Sequence, residues 1–106
     1  MQFGVAQGSG NLQRDTQRLL TAFAQSNPNL RQQTALQRDS IGGRNGYTTI
    51  LSNVSAVTGQ RERIAFSTTQ LRDGKLLYVV GVAPQAEAQT YDAAFRRVRQ
   101  TVQIRD

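Results

Sequence analysis

At 106 residues the chain is the size of one domain, with 38% hydrophobic residues and a mean hydropathy of -0.50 that leave room for a modest core. It has no Cys and no His, which excludes thiol and imidazole chemistry and the side chains on which nearly all zinc sites depend. The net charge of +6 comes almost wholly from Arg, since Lys75 is the single Lys among 13 basic residues, and it raises nucleic acid or an acidic surface as a partner class.

The chain opens with Phe3, Val5 and Ala6, a short strand pattern that Gly8-Ser9-Gly10 interrupts. Ser9 or Asn11 can then cap a helix whose apolar stripe is Leu12, Thr16, Leu19, Leu20 and Phe23. Gln13, Arg14, Asp15, Gln17 and Arg18 form the opposite, solvated face. Asn27-Pro28-Asn29 stops this helix, because proline lacks an amide donor and disfavours helical geometry in the residue before it.

Residues 31–39 alternate loosely and predict one half-buried strand. Ile41-Gly42-Gly43-Arg44-Asn45-Gly46 reads as a turn, and 47–54, rich in Thr, Ile, Leu and Val, as the next strand. After a turn at Val57-Thr58-Gly59-Gln60, residues 61–69 alternate strictly. Arg61, Arg63, Ala65, Ser67 and Thr69 share the face expected to be wet. Asp73-Gly74 makes a hairpin into 76–83, a charge-free segment that predicts a central strand covered on both faces.

Pro84 precedes a second helix starting near 85–87. Ala88, Tyr91, Phe95, Val98 and Val102 recur on it at steps of three and four and predict its buried stripe. Asp92 and Arg96 stand four apart on the outer face, where they can pair. The whole predicts a single α+β domain over 1–106, with a mainly antiparallel sheet of four to five strands and an N-terminal and a C-terminal helix. The charge-free central strand favours helices that flank the sheet over helices sharing one face.

The candidate chemistry is sparse. The Gly-rich stretch 41–46 lacks both the Gly-Lys-Ser/Thr ending of a phosphate loop and the fingerprint of a dinucleotide site, so it reads as a plain turn. Ser67, Thr68 and Thr69 cluster without a His to activate them, and Lys75 sits exposed after the Asp-Gly turn. The seven carboxylates are dispersed, which excludes a dense calcium or magnesium loop. Arg61 and Arg63 on the strand, with Arg96, Arg97 and Arg99 on the last helix, form the candidate basic contact surface. Without interleaved exposed aromatics, that surface predicts no specific nucleic-acid recognition. The longest apolar run is strand length, well short of the roughly 18–20 residues of a membrane span.

The segments Phe3-Gly4-Val5-Ala6-Gln7-Gly8, Asn27-Pro28-Asn29-Leu30, Ile41-Gly42-Gly43, Gly59-Gln60, Asp73-Gly74-Lys75-Leu76-Leu77-Tyr78, Pro84, and Tyr91 with Phe95-Arg96 carry a resemblance along nearly the whole chain. It resembles the C-terminal extension that follows the catalytic domain in some bacterial zinc metallopeptidases of the prenyl-protease type. Their His-Glu-x-x-His signature has no counterpart here. The layout is also similar to the PsbP-like α/β/α sandwich.

The resemblance implies a non-catalytic accessory or protein-interaction module at the C-terminal end of a larger, extracytoplasmic protein. Zinc is expected only in that parent's catalytic domain, with no cofactor in this chain. The catalytic domain or a protein substrate is the expected partner, and the isolated chain is expected to be a monomer. Behind this reading stand a small-molecule or anion pocket between helix and sheet with Arg groups at its rim, then weak non-specific nucleic-acid binding, then an enzyme with an unrecognised site.

Overall fold

The computed structural model describes residues 1–105, which form six strands and two helices, an α+β arrangement around one open antiparallel sheet. The strands are β1 (Gln2–Ala6), β2 (Arg31–Gln32), β3 (Gln37–Ile41), β4 (Arg44–Val54), β5 (Arg61–Gln70) and β6 (Leu76–Pro84). The helices are α1 (Leu12–Ser26) and α2 (Ala88–Thr101). The sheet order is β1-β6-β5-β4-β2, with β3 also paired to β4 along the edge that β2 occupies.

Three strands joined by short turns make the body of the sheet. β4 pairs β5 from Gly46↔Thr69 to Val54↔Arg61, and β5 pairs β6 from Glu62↔Pro84 to Gln70↔Leu76. The two helices lie on opposite faces, as side-chain alternation requires: Ile64 and Phe66 pack with Leu20 of α1, while Ala65 and Val79 pack with Phe95 of α2.

Several expectations need correction. The strand predicted over 31–39 is two strands, because the amides of Gln33 and Thr34 both donate to the carbonyl of Ile50 and pull the chain out of register between them. The turn predicted over 41–46 shrinks to Gly42-Gly43, and β4 already begins at Arg44. The wet face of β5 ends at Arg63, for Ala65, Ser67 and Thr69 are all buried. β5 is therefore the strand covered on both faces. β6, predicted to hold that place, leaves Val82 46% exposed.

Of the two caps expected for α1 the structure uses Asn11, while the burial on both helices differs from expectation. Asn11 is the cap of α1, its side chain accepting from the amide of Arg14 at 3.0 Å. Asp15, placed on the solvated face by its periodicity, is only 4% exposed. Its carboxylate accepts from both the amide and the hydroxyl of Ser9 at 2.8 Å, tying the loop after β1 to α1. Those bonds, the amide first, hold its pKa below the ordinary value against the opposing effect of burial, with Arg18 and Arg14 adding to the lowering.

On α2, after a 3-10 turn at Gln85–Glu87, Phe95 is the buried residue, whereas Tyr91 stays 44% exposed. Asp92 pairs with Arg63 on β5 and not with Arg96. The last turn of α2 is capped from the sheet: the amide of Gly42 donates to the carbonyl of Arg99 at 2.9 Å. Gly42 has φ 57, and a Cβ there would meet the Val102 carbonyl oxygen at 2.6 Å, so conformation and close approach both call for glycine. Among the described residues no helix is long and apolar enough to cross a membrane.

Candidate functional site

The lengths of the elements create the site. A helix of 15 residues is roughly 22 Å long, whereas a strand of 11 residues spans roughly 36 Å, so α1 cannot cover the sheet from end to end. It starts over the Asp73-Gly74 end and stops at Ser26. The chain turns away there: the Asn27 side-chain amide donates to Phe23 O at 3.0 Å, and the Arg31 guanidinium fixes the loop by donating to the carbonyls of Pro28 and Leu30. Beyond that stop the sheet continues, and its α1 face lies open.

The result is a groove of about 320 Å³ between the end of α1 and the sheet. Phe23 and Leu30 form one wall, and Leu51, Ile64, Phe66, Tyr78, Val80 and Val82 form the floor. Three rings brace it, with Phe23 edge-on to Phe66 at 5.6 Å and to Tyr78 at 5.8 Å, and Phe66 stacked on Tyr78 at 6.4 Å. The Tyr78 ring lies across β1 directly over Gly4, in space that a Cβ at that position would occupy. Polar groups ring the apolar floor: Gln2, Asn27, Asn53 and Glu62. Asn53 Nδ2 approaches Glu62 Oε1 at 3.5 Å, at the long limit for a hydrogen bond.

Other hollows differ in kind. The gap beneath α2, lined by Arg63, Ala65, Gly81 and Phe95 among others, offers only about 10 Å³, scarcely one water. A depression of about 510 Å³ beside the start of α2 is lined by polar and small residues such as Gln85, Glu87 and Thr90, and is broadly open. Neither combines depth with apolar walls.

The candidate basic residues fall into two groups. Arg63 and Arg99 hold α2 to the sheet. Arg63 meets Asp92 through Nη2 at 2.9 Å and Nε at 3.1 Å, and Arg99 meets Asp39 of β3 at 3.1 Å with its guanidinium 5.8 Å from the Phe95 ring centre. Arg61, Arg96 and Arg97 are exposed. None of the five lines the groove, whose rim carries amides and a carboxylate where the sequence reading placed Arg.

The clustered hydroxyls are interior hydrogen-bonding groups. Thr68 shares a 2.7 Å bond with Thr16, Ser67 a 2.6 Å bond with Thr48, and Thr69 donates to Asn45 O at 2.8 Å. Lys75 lies 3.8 Å from Asp73, away from all three. Among the described residues no group of three or more His, Cys, Asp or Glu converges. Glu62 and Glu87, the glutamates of the chain, share no hollow.

The sequence offered a pocket between helix and sheet only as a second reading and with an Arg rim; its place at the end of α1 was not foreseen, although Asn27-Pro28 ends that helix early. No known family profile matches the chain, and no curated protein matches it.

Proposed function

We propose that this domain is a non-catalytic interaction module that seats an apolar segment of a partner protein in the groove beside α1. One observation carries the reading. Half-buried Val80 and exposed Val82 form an apolar strip that α1 leaves uncovered, beside a braced aromatic floor and inside a rim of hydrogen-bonding side chains. Such a combination of apolar lining and few polar groups suits recognition more than chemistry. In the setting that the sequence resemblance implies, the module is an accessory domain with a PsbP-like sandwich, attached to an extracytoplasmic zinc metallopeptidase. Its partner is then the catalytic domain or a protein substrate, and zinc belongs to the parent.

A small molecule is the second reading, favoured by the groove's volume, which at about 320 Å³ lies at the low end for ligand pockets. Both readings face the same experiment. The chain, isotope-labelled for amide NMR, is titrated with short extended apolar peptides and, separately, with a fragment library. Peptide-induced shifts are expected at Asn53, Ile64, Val80 and Val82, and Val82→Asp, at a position exposed enough to keep the fold, is expected to weaken them at least about tenfold. Shifts confined to Arg61, Arg96 and Arg97 would sink the groove reading. Saturation by a fragment with no response to peptides would put the small molecule first.

A further inference from the structure

We infer that the groove selects apolar segments carrying a positive charge, and that Glu62 is the residue that reads it. This rests on the groove being a docking site, and it names the chemistry of the occupant. The protein is cationic, with a net charge of +6, so its overall field attracts acidic partners. The groove runs against that field. Glu62 is the one charged side chain lining it among the described residues.

The neighbours on β5 do not cancel this charge. Strand alternation sends Arg61 and Arg63 to the opposite face, and Arg63 is paired there with Asp92. Arg31, beside the wall formed by Leu30, directs its guanidinium to the carbonyls of Pro28 and Leu30. Glu62 itself has the long contact with Asn53, which leaves most of the carboxylate's acceptor capacity for an incoming donor. It is half-buried at the border between the apolar strip and water. A pair formed there is less screened than one on the open surface.

The occupant that fits is an extended segment with branched apolar side chains on Val80 and Val82 and a Lys or Arg at the position reaching Glu62. An acidic residue at that position meets like charge at the rim, even though the molecule as a whole draws it in. The groove is thus selective in the sense opposite to the protein's net charge.

The test uses three acetylated, amidated tetrapeptides that differ only at the end: Leu-Val-Leu-Lys, Leu-Val-Leu-Gln and Leu-Val-Leu-Glu. Amide NMR titration at low salt is expected to rank them Lys, Gln, Glu, with Lys about five- to tenfold tighter than Gln. Glu62→Gln is expected to bring the Lys-to-Gln ratio to about one, and Val82→Lys to turn the preference toward the Glu peptide. Equal affinities for the three peptides in the unaltered chain would overturn the inference while leaving the groove as a docking site. A Lys preference that persists in Glu62→Gln would overturn it too, by placing the selecting charge elsewhere. No shifts at groove residues with any peptide would overturn the inference and the docking site together.

Discussion

The two faces of the sheet carry helices of nearly equal length, 15 and 14 residues, held in different ways. On the α1 face, Leu20, Leu51, Ile64 and Phe66 form a buried apolar cluster that Leu19, Phe23, Tyr78 and Val80 extend. The Thr16–Thr68 hydroxyl pair and the Ser9–Asp15 bonds fix the helix start. On the α2 face a single ring, Phe95, packs on Ala65, Val79 and Gly81, flanked by the ion pairs Arg63–Asp92 and Arg99–Asp39. α2 shows the clearer apolar repeat in the sequence and is the less deeply buried helix. Periodicity reports which side of a helix faces the sheet, not how much that side buries.

The largest effect expected from breaking this contrast comes from the aromatic anchors. Phe66→Ala is expected to cost about 3–5 kcal/mol and to unfold the whole chain in one transition. Phe95→Ala is expected near the lower end, about 3 kcal/mol. Hydrogen exchange in that variant should open α2 ahead of the sheet. If both variants lose α1, α2 and the sheet together in denaturation followed by exchange, the two faces are not separately held.

The buried hydroxyls sharpen the comparison on a smaller scale. Thr16→Val leaves Thr68 without its 2.7 Å partner in the interior. That is expected to cost about 1–3 kcal/mol. Adding Thr68→Val should recover most of the loss, because the remaining unsatisfied group is then gone. Urea midpoints of the two single variants and the double variant measure this coupling, and additive losses would show that the hydroxyls do not act as a pair.

The smallest effects belong to the ion pairs. With side chains 30% and 38% exposed, Arg63 and Asp92 are screened by solvent, and Arg63→Ala is expected to cost only about 0.2–1 kcal/mol. Arg99, whose side chain is 12% exposed, is the stronger tether and its Ala variant should fall at the upper end of that range or above. Raising salt from about 0.05 to 0.5 M should quicken amide exchange in α2 more than in α1. Equal acceleration in both helices would remove electrostatics from the account of α2.

Much of the fold was legible in the chain because it depends on local signals. The Gly8-Ser9-Gly10 break, the Asn-Pro stop after α1, the Asp73-Gly74 hairpin and the two helical stripes each act within a few residues. The features that were not legible arise between distant segments. Residues 31–39 split because two amides compete for Ile50 O, a partner on another strand. Ser67 and Thr69 look like surface residues by polarity, yet they are interior because Thr48 and the Asn45 carbonyl satisfy their hydroxyls. Asp92 found Arg63 on the sheet beneath it where the helix offered Arg96 nearby. The groove combines both kinds: its cause, a helix shorter than the strands beneath it, is local, but its rim joins Gln2, Asn53 and Glu62 from three strands with Asn27 from the loop after α1.

The bond from the Gly42 amide to the Arg99 carbonyl also bears on the order in which the chain folds. β4, β5 and β6 are linked by short turns, so each pairing closes a small loop at little entropic cost. The acceptor at the end of α2 finds its donor only once the β3–β4 turn exists, across about half of the chain's length. Docking of α2 is therefore expected on the late, native side of the folding barrier, with low φ-values for substitutions at its contact with Gly42. Substitutions at Gly42 are then expected to change how long the folded molecule lasts more than how fast it forms.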